Sequence, residues 1–262
     1  MTTTLLLILS ILAQSQAIML NIHLPLRIVN NSSDLCPYTH ALRANLFLKQ
    51  AFPSTEEISF MRLHSPHLTL FLSDFIADDE SPTVNLTSLL HAAQTAIQHH
   101  RPCTIYLQPM PVIHGAYAMY PVQKTKCLQS LSSQLVRALQ PVITRPQVVP
   151  DWVKDLPLME KLQKIYFIKT FGSPNVFGAY DPHVTVGYDQ ITTPDDRLGV
   201  LKRITTVEDG SCRATVATVH VAHVGVGGSV LQQGVVARID WQPGNDDATN
   251  GPSGLVWANS KQ

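Results

Sequence analysis

A five-residue pattern occurs twice in the chain, once in each half, and restricts the possible folds more than any other feature of the sequence. Residues 66–70 read Pro-His-Leu-Thr-Leu, and residues 182–186 read Pro-His-Val-Thr-Val. Each copy lies in an apolar run that predicts a core strand. Because side chains two positions apart share one face of a strand, each copy presents an imidazole beside a hydroxyl on one face and packs its aliphatic residues on the other.

The four polar residues of the two copies suit displacement at phosphorus. If the halves are related by an approximate two-fold axis, His67 and Thr69 face His183 and Thr185 across a cleft. Attack and departure at phosphorus occur on opposite sides, so one imidazole can accept a proton while the other donates one near neutral pH. We therefore predict the two histidines as catalytic acid and base, in either order, and the two threonines as phosphate-binding residues. This chemistry requires neither a metal ion nor an organic cofactor.

The remaining sequence predicts strands and helices in mixed order, with frequent hairpins. Strands are predicted at 18–29, within 58–75, at 103–107, 115–122 and 180–188, and as a hairpin within 212–241. Helices are predicted at 39–52, from about 85 to 98, and at 125–139, 158–169 and 194–204. The order lacks a steady β-α-β alternation, which favours an α+β fold with antiparallel sheets.

The ends of the chain differ in composition from the middle. Residues 1–17 hold an apolar run too short to span a bilayer, followed by small residues spaced as a signal peptidase requires; a buried N-terminal strand is the alternative. Residues 242–262 are rich in Gly, Asn, Asp and Pro, which predicts a loose tail. We therefore expect a signal peptide at 1–17 and one mature domain at 18–241.

Sequons and cysteines fit a secreted protein or a protein of the secretory lumen. Three N-glycosylation sequons begin at Asn30, Asn31 and Asn85. Four cysteines allow up to two disulfides in an oxidising compartment, with three possible pairings. No Cys-x-x-Cys pair occurs, so a zinc knuckle is not predicted.

Charge restricts the class of ligand. The 262 residues carry 19 Lys and Arg against 19 Asp and Glu, a formal net charge of zero. Long nucleic acid held mainly by a basic surface is therefore excluded, since that mode needs clustered cations. A small nucleotide or an RNA end needs only a few donors. After loss of the signal peptide we expect no membrane segment and a monomer.

The paired His-apolar-Thr-apolar motifs resemble those of the 2H phosphoesterase superfamily, which includes cyclic nucleotide phosphodiesterases and 2′-5′ RNA ligase-like proteins. The strongest local match is 172–186, and the resemblance spans about 20–241. It implies a bilobal, pseudo-two-fold fold with two antiparallel sheets lining a central cleft and helices outside. It also implies metal-independent chemistry at 2′,3′-cyclic phosphate or 2′-5′ phosphodiester linkages by the four motif residues. Members of this superfamily are usually intracellular, so a secretory signal is a departure.

Base recognition and the alternative functions depend on weaker signals. Tyr117, Tyr120 and Tyr188 lie on predicted strands and are candidates to stack on a nucleobase. His23 either lines the cleft or packs in the first strand. Three other classes stay open: a non-catalytic nucleotide- or phosphate-binding module, a metal hydrolase built from the eleven histidines, and a structural glycoprotein.

Overall fold

The computed structural model describes residues 17–26, 36–53, 58–76, 82–98, 100–143, 147–204, 212–241 and 255–257. Within them the helices are α1 (Cys36–Ala51), α2 (Pro82–Gln98), α3 (Lys126–Leu139), α4 (Leu158–Phe171) and α5 (Pro194–Leu201). The strands are β1 (Ala17–Pro25), β2 (His67–Ile76), β3 (Cys103–Tyr106), β4 (Val112–His114), β5 (Tyr117–Pro121), β6 (His183–Tyr188), β7 (Arg213–Val216), β8 (Thr218–Val224), β9 (Val230–Asp240) and β10 (Leu255–Trp257).

The strands form three antiparallel sheets. The largest has the order β10-β9-β8-β1-β2, a second pairs β3 with β7, and a third has the order β4-β5-β6. The two strands that carry the repeated motif, β2 and β6, are each the last strand of their sheet, and they lie beside each other. The predicted α+β fold with antiparallel sheets is confirmed, and the sheet edges bring the two motifs together.

The helices cover the sheets through apolar stripes of helical period. In α3 the Thr125 hydroxyl accepts a hydrogen bond from the amide of Leu128 and caps the helix. Its buried residues recur three or four positions apart, at Leu128, Leu131, Ser132, Leu135, Val136 and Leu139. The apolar residues among them join one continuous hydrophobic core that includes the aliphatic residues of both motifs, Leu68, Leu70, Val184 and Val186.

Two disulfides use all four cysteines. Cys36 at the start of α1 is bonded to Cys212, and Cys103 of β3 is bonded to Cys127 of α3. The first pair closes a loop across a sequence separation of 176 residues, the second across only 24. By the chain-entropy account the longer loop gains more stability from its crosslink.

Several element boundaries differ from the sequence prediction. Helices α1 and α2 begin earlier than predicted, and α2 begins at a proline, whose fixed φ suits a first helical turn. Strand β4, which the sequence prediction missed, pairs with β5 through a turn at Gly115, where φ is +54°.

The structure describes only some of the terminal residues for which the sequence makes a prediction. Residues 1–16, and the sequons at 30 and 31, lie outside the described residues. The tail predicted at 242–262 is not wholly loose, because Leu255–Trp257 pair with β9; its other residues lie outside the described part. Among the described helices, none has the length and apolar character needed to cross a bilayer.

Candidate active site

The two motifs share a local geometry that their prolines explain. A proline restricts the preceding residue to extended backbone. The carbonyl oxygens of Ser65 and Asp181, which precede the prolines, accept hydrogen bonds from Nδ1 of the motif histidines, at 2.9 Å for His67 and 2.8 Å for His183. Because a carbonyl can only accept, Nδ1 carries the proton in both rings. Each neutral imidazole therefore keeps its lone pair on Nε2.

The neighbouring strands repeat the same arrangement. Strand β1 ends at Pro25 opposite His67, and β5 ends at Pro121 opposite His183. Just beyond each of these prolines, a backbone amide donates to the carbonyl of the motif proline, at 3.0 Å in the first half and 2.9 Å in the second. The two half-sites are thus built on equivalent strand ends, as a pseudo-two-fold fold requires.

Alternation in the motif strands follows the predicted pattern. Leu68 and Val184, directly after the histidines, are fully buried in the core. The motif threonines and His183 are half-buried, and His67 is 7% exposed. Successive side chains of a strand point to opposite faces, so each motif histidine projects from the face opposite its buried neighbour.

The half-site of His67 is enclosed by polar groups from β1. The amide nitrogen Nδ2 of Asn21 donates to Thr69 Oγ1 at 3.0 Å and lies 3.3 Å from His67 Nε2. The ring of His23 meets the His67 ring edge-on, with centroids 4.9 Å apart. The hydroxyl of Tyr180 donates to the carbonyl of Thr69 at 3.1 Å and so ties the approach to the second motif to the first.

Burial controls the charge of His67. Desolvation lowers the pKa of His67 to about 4; the hydrogen bond to Ser65 opposes that shift, and the charges of His183 and His64 add to it. The neutral ring with its lone pair on Nε2 is therefore the form present at neutral pH. The effect of His183 on the pKa of His67 also shows that the two motif imidazoles lie within electrostatic reach of each other.

The half-site of His183 is more open and contains a carboxylate. Burial lowers the pKa of His183, while the charge and backbone carbonyl of the exposed Asp181 raise it and His114 lowers it. Lys164 is 9% exposed and donates to Asn175 Oδ1 at 2.6 Å. Burial lowers the pKa of Lys164, and the charge of Asp181 opposes that shift, which places a cation near this half-site.

The three candidate stacking tyrosines divide between the core and the site. Tyr120 is fully buried, and its ring meets His40 edge-on inside the core. The prediction that it stacks on a base is therefore wrong, since alternation along β5 turns it away from the cleft face. Tyr117 and Tyr188 are half-buried and lie with ring centroids 4.9 Å apart, so both stay candidates.

A strand irregularity sets the direction of Tyr188. The register between β5 and β6 shifts near the end of β6. Val186 is fully buried, and a Cβ on Gly187 would press against Leu48 of α1, so both positions face the core. Tyr188 consequently lies on the face of the motif imidazole, where its ring packs against Gly227 of the β8–β9 turn.

Asn21 lies near the site and is not assigned to it from the sequence, whereas the sequence leaves His23 open between lining the cleft and packing in the strand. Asn21 is fully buried beside the motif and carries no signature beyond its place two residues before His23 on one strand face. His23 is also fully buried and contacts both His67 and His220 through ring edges. The sequence signal for both residues was a polar side chain at every second position of an apolar strand. Only the pairing of β1 with β2 shows that these side chains lie beside the first motif.

Comparisons with known proteins give one family match and several solved structures. A family model described as the 2'-5' RNA ligase superfamily matches residues 33–227, which include both motifs. No curated protein sequence matches the chain. Solved structures similar to it include E. coli LigT complexed with NADP+ (10% identity, TM-score 0.48) and apo E. coli LigT (13%, 0.46), with 87% of this chain and all of the other covered in each case. A protein described as a phosphoesterase gives 10% and 0.44 with the same coverage. These likenesses are too weak to carry an argument about function.

Proposed function

The chain belongs to the 2'-5' RNA ligase superfamily, and we propose that it acts on 2′,3′-cyclic phosphate or 2′-5′ phosphodiester linkages of small nucleotides or RNA ends. The observation that carries the proposal is the matched pair of imidazoles. Both hold Nδ1 on a backbone carbonyl, both leave the lone pair on Nε2, and the charge of His183 contributes to the lowered pKa of His67. Such a pair can serve an in-line displacement from both sides.

The environments of the two rings assign their roles. His67 has a pKa of about 4, and no carboxylate of the described residues contributes to its shift, so we assign it as the neutral base. Burial lowers the pKa of His183 below its ordinary value, but the carboxylate of Asp181 opposes that shift. The phosphate anion of a bound substrate would favour the protonated ring further, so we assign His183 as the acid.

The reaction then proceeds by one displacement. Nε2 of His67 takes a proton from the attacking water or hydroxyl, whose oxygen forms a bond to phosphorus. The bond from phosphorus to the leaving oxygen breaks, and His183 gives that oxygen its proton. Thr69 and Thr185 donate hydrogen bonds to the non-bridging oxygens as negative charge grows there. Asn21 holds Thr69 and the lone-pair side of His67 in place.

Single substitutions of the two histidines test this function. We expect His67→Ala and His183→Ala each to lower kcat/KM by about 10²–10⁴-fold on 2′,3′-cyclic nucleotides and 2′-5′-linked dinucleotides. His223→Ala is the matched control, because this histidine is exposed on β8 outside the motif. EDTA should leave turnover unchanged. Full turnover by both motif variants, or ligand binding without turnover of any substrate in the wild type, would contradict the proposal.

We also propose that the protein works in an oxidising compartment after secretion. Both disulfides support this, since such bonds persist outside the reducing cytosol. Expression in a secreting eukaryotic cell should yield protein in the medium that begins at residue 18 and shifts in mass with an endoglycosidase. Retention of residues 1–17 in an intracellular, reduced protein would contradict secretion without affecting the catalytic proposal.

A further inference from the structure

A cluster of three metal-binding groups surrounds the Cys36–Cys212 disulfide. The sulfur atoms of the two cysteines and a ring nitrogen of His40 all lie within 4.8 Å of one another. Cys36 and His40 are four residues apart on α1, so their side chains share one face of the helix. Cys212 reaches the same point from the segment before β7. None of the three residues belongs to the motif strands.

Two buried polar atoms, one on His40 of the cluster and one on the ring that it contacts, make no hydrogen bond to any described residue. They are Nδ1 of His40 and the hydroxyl of Tyr120, both buried, on rings that meet edge-on with centroids 6.4 Å apart. Buried polar atoms in native proteins nearly always have a partner. An imidazole that has an unpartnered nitrogen and lies close to two sulfur atoms is the arrangement that a zinc ion would satisfy.

We propose that reduction of the Cys36–Cys212 disulfide converts this cluster into a Zn²⁺ site with two thiolates and the His40 imidazole as ligands. A low-molecular-weight thiol supplies the two electrons: the disulfide becomes two thiols, and two molecules of the reductant become one disulfide. Zn²⁺ then displaces one proton from each cysteine thiol, and His40 binds through a nitrogen lone pair. Water completes the tetrahedron that zinc prefers.

The consequence is a crosslink in either redox state. The disulfide joins the start of α1 to the start of β7 across most of the chain. Zinc bound to the same two sulfur atoms would hold the same two segments together. The protein would therefore keep this tether when a reducing environment opens the sulfur–sulfur bond. The site would be neutral overall, with two thiolates balancing the ion, which suits a partly buried position.

Two variants with one cysteine pair each provide the test. Cys103→Ser/Cys127→Ser keeps the pair in the cluster, and Cys36→Ser/Cys212→Ser keeps the other pair, for which no third ligand forms such a cluster among the described residues. Each is reduced, freed of reductant without air and titrated with Co²⁺. We expect the first variant to bind one Co²⁺ with thiolate-to-cobalt charge-transfer and tetrahedral bands, and to release it to Zn²⁺. We expect neither set of bands in the second. Equal spectra, or none in the first variant, would overturn the proposal.

The histidine ligand is tested in the first of these variants. Adding His40→Gln should abolish the tetrahedral bands, whereas His91→Gln, at an exposed position on α2, should leave them unchanged. If reduction unfolds the chain, Zn²⁺ should restore its far-UV circular dichroism in the His91→Gln background and not in the His40→Gln background. Failure of zinc to restore the fold, or equal metal binding by both, would overturn the assignment. All readouts are independent of phosphoesterase turnover.

Discussion

The two half-sites have the same backbone and different surroundings. In both, a proline positions a carbonyl that binds Nδ1, and the neighbouring strand ends at a proline opposite the histidine. Around His67 the neighbours are a buried amide and other imidazoles, Asn21, His23 and His64. Around His183 they include the carboxylate of Asp181 and more solvent. The backbone anchor of the two rings is thus the same, whereas the groups that shift their pKa values differ.

This difference explains how one imidazole pair can perform two opposite tasks. A base must be neutral and an acid must be protonated at the same pH. Two identical environments would leave one proton shared between the rings without preference. Burial lowers the pKa of both rings, but the carboxylate of Asp181 opposes the shift only at His183, which is why the proposed reaction assigns the proton to His183.

The largest expected effect is on stability as a function of pH. Because burial lowers the pKa of His67 from its ordinary 6.5 to about 4, the unfolded chain binds this proton more readily than the folded chain. The free energy of unfolding is therefore unaffected by His67 above about pH 6.5. It falls as the pH decreases toward 4, by about 3 kcal/mol from His67 alone. Urea unfolding of wild type and His67→Gln between pH 7 and 4 measures it. The variant should lack this part of the acid destabilisation, and equal pH dependence would contradict the enclosed base.

A smaller effect is expected when the amide on the first half-site is removed. Asn21→Leu preserves volume and removes the hydrogen bonds to Thr69 and His67, so we expect kcat to fall about tenfold with little change in KM. Ser132→Ala is the control. The hydroxyl of Ser132 also donates a hydrogen bond to β2, but to the carbonyl of Leu70 and not to a side chain of the motif. A loss of stability in both variants with equal activity would assign Asn21 a structural role only.

The smallest expected effect concerns the carboxylate of the second half-site. Asp181 is exposed, and interactions of exposed charges are typically worth no more than about 1 kcal/mol. In Asp181→Asn the pKa of His183 should fall further, so the alkaline limb of the pH–rate profile, where the acid loses its proton, should move to lower pH with a few-fold lower rate at neutral pH. Asp195→Asn, exposed on α5, provides the control. An unchanged pH–rate profile in Asp181→Asn would contradict a role of this carboxylate in setting the pKa of His183.

The motif strands were predictable because their pattern is local. Alternation alone placed the motif histidines and threonines opposite Leu68, Leu70, Val184 and Val186, and the structure has those aliphatic residues in the core. The antiparallel α+β fold followed from the order of short strands and helices. The pairing of the cysteines was left open, because connectivity depends on which segments meet in space.

What the sequence could not predict depends on contacts between strands. Tyr120 and Tyr188 look alike in sequence, and only the register shift near the end of β6 separates a core tyrosine from a site tyrosine. Asn21 and His23 gain their role from the pairing of β1 with β2. The pKa shifts of the two histidines depend on their burial and neighbours, which the two nearly identical motifs do not encode.

The division of labour between the histidines is tested most directly by the leaving group. Wild type, His67→Ala and His183→Ala are compared on an alkyl phosphodiester and a matched p-nitrophenyl phosphodiester, whose phenolate leaves without a proton. We predict that the defect of His183→Ala nearly disappears on the p-nitrophenyl substrate, while the defect of His67→Ala persists at about 10²-fold or more. Equal defects on both substrates, or rescue of His67→Ala instead, would contradict the assignment of His67 as base and His183 as acid.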